Sequence, residues 1–83
     1  MSKVTIYTTA TCAYCHMLKN YLSEHDVTFD EKRADEDQLL AKELYEKSGQ
    51  LGVPFAIIEK DDGSTEQVLG FDKPKIDAAL GLA

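Results

Sequence analysis

The sequence predicts an α/β protein with one four-stranded mixed sheet, helices on both faces of the sheet, and the element order βαβαββα. Three observations lead to this prediction. Residues 4–7 alternate apolar and polar side chains, as a half-buried strand does. Residues 53–58 are apolar on both alternating faces, which suits a central strand covered on two sides. Residues 61–63, Asp-Asp-Gly, are typical of a tight hairpin turn.

The first half of the chain supplies a β-α-β unit and a second helix. After the first strand, Thr11 is the expected N-cap of a helix over about residues 12–25. A second strand is predicted at residues 27–31, and a crossover helix between the two strands makes them parallel. Three acids at residues 35–37 are expected in the first turn of the second helix, which ends at Gly49.

The second half of the chain completes the sheet and ends in a helix. The hairpin leads into an antiparallel strand at residues 65–69, and Asp72 is the expected N-cap of the last helix, with Pro74 in its first turn. The 83 residues contain no internal repeat, linker or low-complexity segment. We therefore expect a single domain that spans residues 1–83.

Charge and hydropathy exclude some classes of partner. The formal net charge is -6, whereas nucleic acid and anionic membranes are bound mainly by clustered Lys and Arg. No apolar segment is long enough for a signal peptide or a transmembrane helix. We therefore expect a cytoplasmic protein with no nucleic-acid or membrane partner. In a reducing compartment, a close cysteine pair is more often catalytic or metal-binding than structural.

The two cysteines lie in a motif that has more than one interpretation. Cys12, Cys15 and His16 spell C-x-x-C-H, a pattern that also attaches c-type haem. Haem would use His16 as one axial ligand, and Met17 adjoins His16 and cannot reach the opposite face. Zinc needs about four ligands, and the only further histidine is His25. Neither haem nor a metal site within one chain is expected, and His16 is expected to be an ordinary residue of the helix surface.

A redox-active dithiol fits the cysteine positions better. Cys12 falls where the first helix begins, and a helix N-terminus lowers a cysteine pKa from about 8.5 to roughly 3.5–7.5. Cys15 lies one turn further along the same face, close enough to form a disulfide with Cys12 and too buried to attack first. The pattern therefore predicts a C-x-x-C redox site after the first strand of a β-α-β unit.

Three segments carry a resemblance to a known family: residues 7–15, residues 48–54 and residues 70–72. They resemble the glutaredoxin family of the thioredoxin superfamily, and the similarity covers essentially the whole chain. Tyr14 between the cysteines is similar to the tyrosine of the glutaredoxin C-P-Y-C site. Thioredoxins carry W-C-G-P-C, and this chain contains no tryptophan. The resemblance implies a thioredoxin-like fold and thiol–disulfide oxidoreductase activity.

The resemblance also implies which residues form the site. Cys12 and Cys15 would be catalytic, and the Val53–Pro54 bond would be cis and lie opposite them, with the Val53 main chain free to pair with an extended substrate. Tyr14 is either a packing aromatic or a ring that contacts substrate. The implied substrate-binding residues are Thr11, Tyr14, Val53, Pro54, Gly70, Phe71 and Asp72. No metal ligand and no tightly bound cofactor are implied.

Three departures from the family pattern leave the electron donor open. Thr9, Gly52 and Phe71 stand where many glutathione-using glutaredoxins have Lys, Thr and a second Gly. The Gly-Phe pair before a Pro-containing helix is similar to NrdH-type redoxins, which can take electrons from thioredoxin reductase and supply ribonucleotide reductase. The expected function is reduction of protein disulfides or glutathionylated proteins, with glutathione as co-substrate or thioredoxin reductase as donor, by a monomer.

A binding function is the alternative. Cys12 from two chains, together with two glutathione thiols, could hold an iron–sulfur cluster, as some glutaredoxins do. The dithiol site and the altered glutathione residues disfavour this alternative.

Overall fold

The computed structural model describes residues 3–81, and within them the predicted order βαβαββα is confirmed. The elements are β1 Lys3–Thr8, α1 Ala13–Glu24, β2 Asp30–Arg33, α2 Gln38–Ser48, β3 Phe55–Glu59, β4 Thr65–Leu69 and α3 Lys73–Leu80. The described part of the chain contains no helix with the length and apolar character needed to cross a bilayer.

One mixed sheet holds the fold together, with the strand order β2-β1-β3-β4. β1 pairs in parallel with β2, Thr8 opposite Arg33, and in antiparallel with β3, Tyr7 opposite Phe55. β3 and β4 form the predicted hairpin. Its turn is closed by the Gly63 N–H, which donates to the Lys60 carbonyl at 3.0 Å.

The two faces of the sheet carry different amounts of core. Alternation along β1 turns Val4 and Ile6 toward α1 and α3, where they pack against Leu18, Leu22, Ala56, Ile58, Val68, Ile76 and Ala79. The other face is covered by α2 alone, and its core consists of Tyr7, Leu44 and Phe55. β3 is therefore buried from both sides, as its apolar pattern predicts. β1 is also buried from both sides, although its alternating pattern predicts burial of one face only, because Tyr7 packs on the α2 side.

The position of β2 differs from the prediction. The strand spans Asp30–Arg33 instead of residues 27–31. Val27 and Phe29, which suggested the earlier start, are half-buried against the α1 side of the core before the ladder begins. The paired residues themselves are charged, which suits a strand at the edge of the sheet. Two of them form ion pairs with the helices: Glu31 with Lys19 of α1, and Lys32 with Glu43 of α2.

The starts of two helices also differ from the prediction. The N-cap of α1 is Cys12 and not Thr11, because the Cys12 sulfur accepts the hydrogen bond that a capping oxygen would accept. In α2, Asp37 is the N-cap and the other two acids precede the helix, so none lies in its first turn. The predicted end of α2 is confirmed by Gly49, which adopts φ 78° at the C-terminus.

The sheet register brings four loops to one end of the molecule. β1 and β2 end there, β3 begins there and β4 ends there, since Tyr7 is opposite Phe55 and Phe55 is opposite Leu69. The loops are residues 9–12, 34–37, 49–54 and 70–72. The hairpin turn lies at the other end of the sheet, next to the start of β1.

Candidate redox site

Cys12 ends the loop after β1 and opens α1. Its backbone is extended, with φ -90° and ψ 107°, and its Sγ accepts a hydrogen bond from the Cys15 N–H at 3.0 Å. The sulfur therefore occupies the position of a capping oxygen, where free N–H groups and the helix dipole favour a negative charge. The start of α1 is therefore a position where the sulfur of a reduced Cys12 would be favoured as a thiolate.

The two cysteines differ sharply in exposure. They are joined as a disulfide with their Cα atoms 5.2 Å apart. Cys15 has 0% of its surface exposed, whereas Cys12 is only half-buried. Sequence reasoning predicted this burial of Cys15, and the structure confirms it. Cys15 is therefore closed to a partner molecule, whereas Cys12 keeps part of its surface exposed.

The loop before β3 reaches the same end of the sheet. The Val53–Pro54 bond is cis, as the family resemblance implies. Pro54 is buried, and its carbonyl accepts a 2.7 Å hydrogen bond from the Gly70 N–H. That bond ties the loop after β4 to the cis-proline loop, and Gly70 adopts φ 79° there. Val53 lies outside the strand ladder, which begins at Phe55.

The remaining residues of the predicted substrate surface lie on the flanking loops and on α1. Thr11 and Tyr14 are exposed, Tyr14 by 63%. Phe71 is half-buried and packs edge-on against the Tyr21 ring at 5.6 Å between centroids, so its bulk is directed at α1. Asp72 caps α3 by accepting a 3.3 Å hydrogen bond from the Lys75 N–H.

Tyr21 of α1 contacts α3 as well as the Phe71 ring. Its hydroxyl donates to an Asp77 carboxylate oxygen, and this contact raises the Tyr21 pKa. The Lys73 ammonium lies 5.0 Å from the centroid of the same ring. α3 is thereby held against α1, the helix that begins after Cys12.

An ion pair that sequence reasoning missed contacts the loop before Cys12. Asp35 Oδ2 accepts a 3.1 Å hydrogen bond from the Ala10 N–H. Arg33 donates two hydrogen bonds to the same carboxylate, from Nε at 3.0 Å and from a terminal nitrogen at 2.9 Å. These hydrogen bonds, from Arg33 first and Ala10 second, lower the Asp35 pKa to about 2. No local sequence signal could reveal a contact that joins residues 25 positions apart.

His16 is exposed, as predicted, but it also contacts the loop. Its Nε2 lies 3.3 Å from the Ala10 carbonyl oxygen, and the tautomer protonated at Nε2 donates a hydrogen bond there.

Glu31 supports the end of β1. The buried Thr8 hydroxyl donates to Glu31 at 2.6 Å, and Lys19 donates to the same carboxylate at 3.0 Å. The Thr8 hydrogen bond is the largest cause of a lowered Glu31 pKa.

Within residues 3–81, no three His, Cys, Asp or Glu side chains are grouped so that they could hold a metal ion.

The fold and the site define a class of protein. A β-α-β unit with a C-x-x-C pair at the first helix N-terminus, and a cis-proline loop at the same end of the sheet, is the arrangement of a thioredoxin-fold thiol–disulfide oxidoreductase. A crystal structure of the T8A mutant of the thioredoxin-like protein BC3987 superposes with a TM-score of 0.83 over 100% of both chains at 24% identity, which supports the fold alone.

Sequence comparisons give the family. The glutaredoxin family model matches residues 4–62. Glutaredoxin 3 of Escherichia coli K12 is 39% identical over 59 residues, 71% of this chain and 71% of its own length. The glutaredoxin-like protein NrdH of Lactococcus lactis IL1403 is 42% identical over 60 residues, 71% of this chain and 78% of its own length. The chain belongs to the glutaredoxin family and is a thiol–disulfide oxidoreductase.

Proposed function

We propose that the protein reduces protein disulfides, or mixed disulfides between proteins and glutathione, through a two-cysteine cycle. Cys12 is the attacking residue and Cys15 is the resolving residue. The observation that carries this assignment is the difference in burial: Cys12 caps a helix at the surface, whereas Cys15 is 0% exposed beneath it.

The cycle is balanced in atoms and electrons. The Cys12 thiolate attacks one sulfur of the substrate disulfide, the substrate S–S bond breaks, and the other substrate sulfur leaves as a thiolate. Cys15, once deprotonated, then attacks Cys12 and releases the second substrate sulfur. The Cys12–Cys15 disulfide forms, and two electrons have passed to the substrate. Two glutathione thiols, or the dithiol of a reductase, return the two electrons.

The loops at the site end of the sheet are the proposed substrate surface. Val53 lies beyond the strand ladder and would pair through its main chain with an extended substrate. Tyr14 is exposed beside the cysteines and would pack on the substrate backbone or side chains. The full proposed set is Thr11, Tyr14, Val53, Pro54, Gly70, Phe71 and Asp72.

The structure bears on the electron donor through Phe71. On sequence alone, this residue adds bulk where glutathione would approach the last helix. Because the ring packs on Tyr21, the main chain of residues 70–72 is less obstructed than the sequence suggests. We propose that the protein works in the cytoplasm as a monomer without a tightly bound cofactor, with glutathione or thioredoxin reductase as its donor. The NrdH relative makes ribonucleotide reductase one candidate substrate.

The test is NADPH oxidation in two parallel coupled assays, each with a catalytic amount of the oxidised protein and an excess of a protein disulfide as electron acceptor. One assay contains glutathione and glutathione reductase, and the other contains thioredoxin reductase. Turnover in either assay supports the proposed function and names the donor. Turnover in neither assay contradicts it.

A variant separates the one-cysteine route from the two-cysteine route. Cys15→Ser should lose activity on a protein disulfide and keep activity on a small glutathione mixed disulfide, where a second glutathione can replace Cys15. Full activity of Cys15→Ser on the protein disulfide would contradict the resolving role. Cys12→Ser is the matched control and should be inactive on both substrates.

A further inference from the structure

Ala10 lies at the centre of the turn that leads into the nucleophile. The Cys12 N–H donates to the Thr9 carbonyl at 3.4 Å and closes this turn. Both main-chain polar groups of Ala10 are held by side chains from elsewhere: the N–H by Asp35 at 3.1 Å and the carbonyl oxygen by His16 at 3.3 Å. A single residue in an exposed loop is thus fixed from two sides.

The Asp35 contact continues the sheet beyond its last paired residues. β1 and β2 end at Thr8 and Arg33, and one further backbone bond follows, from the Ala34 N–H to the Thr8 carbonyl at 2.9 Å. A regular parallel ladder would continue with the Ala10 N–H donating to the Ala34 carbonyl, and the Asp35 carboxylate accepts this hydrogen bond instead. Arg33 holds that carboxylate through two nitrogens, so its orientation is fixed.

The contacts that hold Ala10 affect Cys12, which lies two residues further along the chain. The Cys12 sulfur receives the Cys15 N–H only while Cys12 keeps the extended backbone of an N-cap. A mobile turn would lower the fraction of molecules in which this hydrogen bond is formed. The thiolate would then lose part of its stabilisation, because hydrogen bonds to the charged form are one cause of a low pKa.

We propose that Asp35, oriented by Arg33, is a positioning residue for the cysteine chemistry, and that His16 supports it from the other side of Ala10. Asp35 acts through the Ala10 N–H and does not touch the substrate or either sulfur. This inference rests on the proposed function, since it presumes that Cys12 is the attacking thiol.

Alkylation kinetics give the test. The reduced protein is treated with iodoacetamide from acidic to alkaline pH, and the modified cysteine is located by peptide mass spectrometry. In Asp35→Ala, the midpoint of the rate against pH should rise by about 0.5 to 1 pH unit, and the rate at a fixed pH well below the midpoint should fall by about three- to tenfold, because the thiolate fraction there changes tenfold per unit of pKa. Hydrogen exchange at the Ala10 amide should accelerate in the same variant.

Glu36 provides a matched control. It lies next to Asp35 and contacts the same Arg33 at 3.4 Å, but no hydrogen bond joins it to the turn before Cys12. Glu36→Ala removes a negative charge from the same loop but keeps the Asp35 hydrogen bond to Ala10. Its alkylation profile should therefore follow that of the unaltered protein. Asp35→Asn keeps an oxygen acceptor without the charge, so its profile should lie between those of the unaltered protein and Asp35→Ala.

The outcomes separate the inference from the function on which it rests. An unchanged midpoint in Asp35→Ala, or an equal shift in Glu36→Ala, would overturn the positioning role. If Asp35→Ala does not fold, Asp35→Asn decides by the same two criteria. Modification of Cys15 before Cys12 in the unaltered protein would instead contradict the proposed function, whatever the Asp35 variants do.

Discussion

The N-termini of α1 and α2 are both capped by a side chain, α1 by a sulfur and α2 by a carboxylate oxygen. In α1 the Cys12 sulfur accepts from the Cys15 N–H at 3.0 Å, and in α2 an Asp37 oxygen accepts from the Leu39 N–H at 2.8 Å. Both capping residues have an extended backbone. The carboxylate remains a cap and stabilises its helix. The sulfur caps α1 while it is also joined to Cys15 in a disulfide, and in the reduced protein the N-terminus of α1 would favour a reactive anion at the same position.

The largest effect should come from replacing the sulfur cap with an oxygen cap. Cys12→Ser should lower turnover by about a thousandfold or more, because the hydroxyl is not ionised near neutral pH and cannot form the mixed disulfide. Since Ser is a favourable N-cap, the free energy of unfolding of the reduced protein should change by less than about 0.5 kcal/mol. Coupled NADPH oxidation and urea unfolding under reducing conditions measure both quantities. Substantial turnover of Cys12→Ser, or a marked loss of its stability, would contradict the comparison between the sulfur cap and an oxygen cap.

Removing the cap of α2 should lower the stability of the protein and leave its turnover unchanged. Asp37→Ala removes the oxygen that accepts the Leu39 N–H, and the free energy of unfolding should fall by about 1 kcal/mol. Turnover should stay within about twofold at a temperature where the variant is folded. Gln38→Ala is the matched control, since this exposed residue follows the cap and lies at the first helical position. A similar loss in Gln38→Ala would show that the cap is not the cause.

A carboxylate can also be placed where the sulfur now lies. Cys12→Asp should be more stable than Cys12→Ala by about 0.5 kcal/mol, because a negative oxygen at the N-cap satisfies the free N–H groups and interacts favourably with the helix dipole. Urea unfolding of the two variants under reducing conditions measures the difference. Equal stabilities would mean that the α1 N-terminus does not stabilise an anion as the α2 N-terminus does, and the account of Cys12 reactivity would need revision.

The smallest effect should appear in acid, at the carboxylate that supports the loop before Cys12. The Asp35 pKa is about 2 in the folded protein, below the value of about 3.9 in an unfolded chain. A lowered folded pKa means that the contribution to stability is complete above about pH 4 and is lost as the pH falls through about 2. The Ala10 amide proton shift should therefore titrate with a midpoint near pH 2. Persistence of this titration in Asp35→Asn would assign it to another group.

Local signals were enough to predict the order of the elements and the position of the cysteine pair at the start of α1. Val4 and Ile6 alternate with polar residues, and the hairpin has its own turn residues, so strand identity follows from neighbours in sequence. Cys12 follows a strand and opens a helix, which is also a local pattern. The cis bond before Pro54 came from the family resemblance, since base rates alone favour trans.

What the sequence did not predict depends on distant partners. The Asp35 contact with Ala10, the Glu43 contact with Tyr7 and the Asp77 contact with Tyr21 join residues 25, 36 and 56 positions apart. From the sequence alone, each carboxylate would be interpreted as a solvated surface charge. Its partner is determined only when the sheet and helices have come together. β2 was misplaced for a related reason: apolar residues mark what is buried, whereas the ladder is set by pairing with β1.

The position of the hairpin turn, residues 60–64, has a practical consequence. It lies at the end of the sheet opposite the cysteines, because Glu59 and Thr65 pair at the start of β1 rather than at its end. Loop tips with small and polar residues tolerate insertion well. A fluorophore, an affinity tag or a linker to an electrode attached at this turn would leave the Cys12 end facing away from the support, accessible to a protein as large as a reductase.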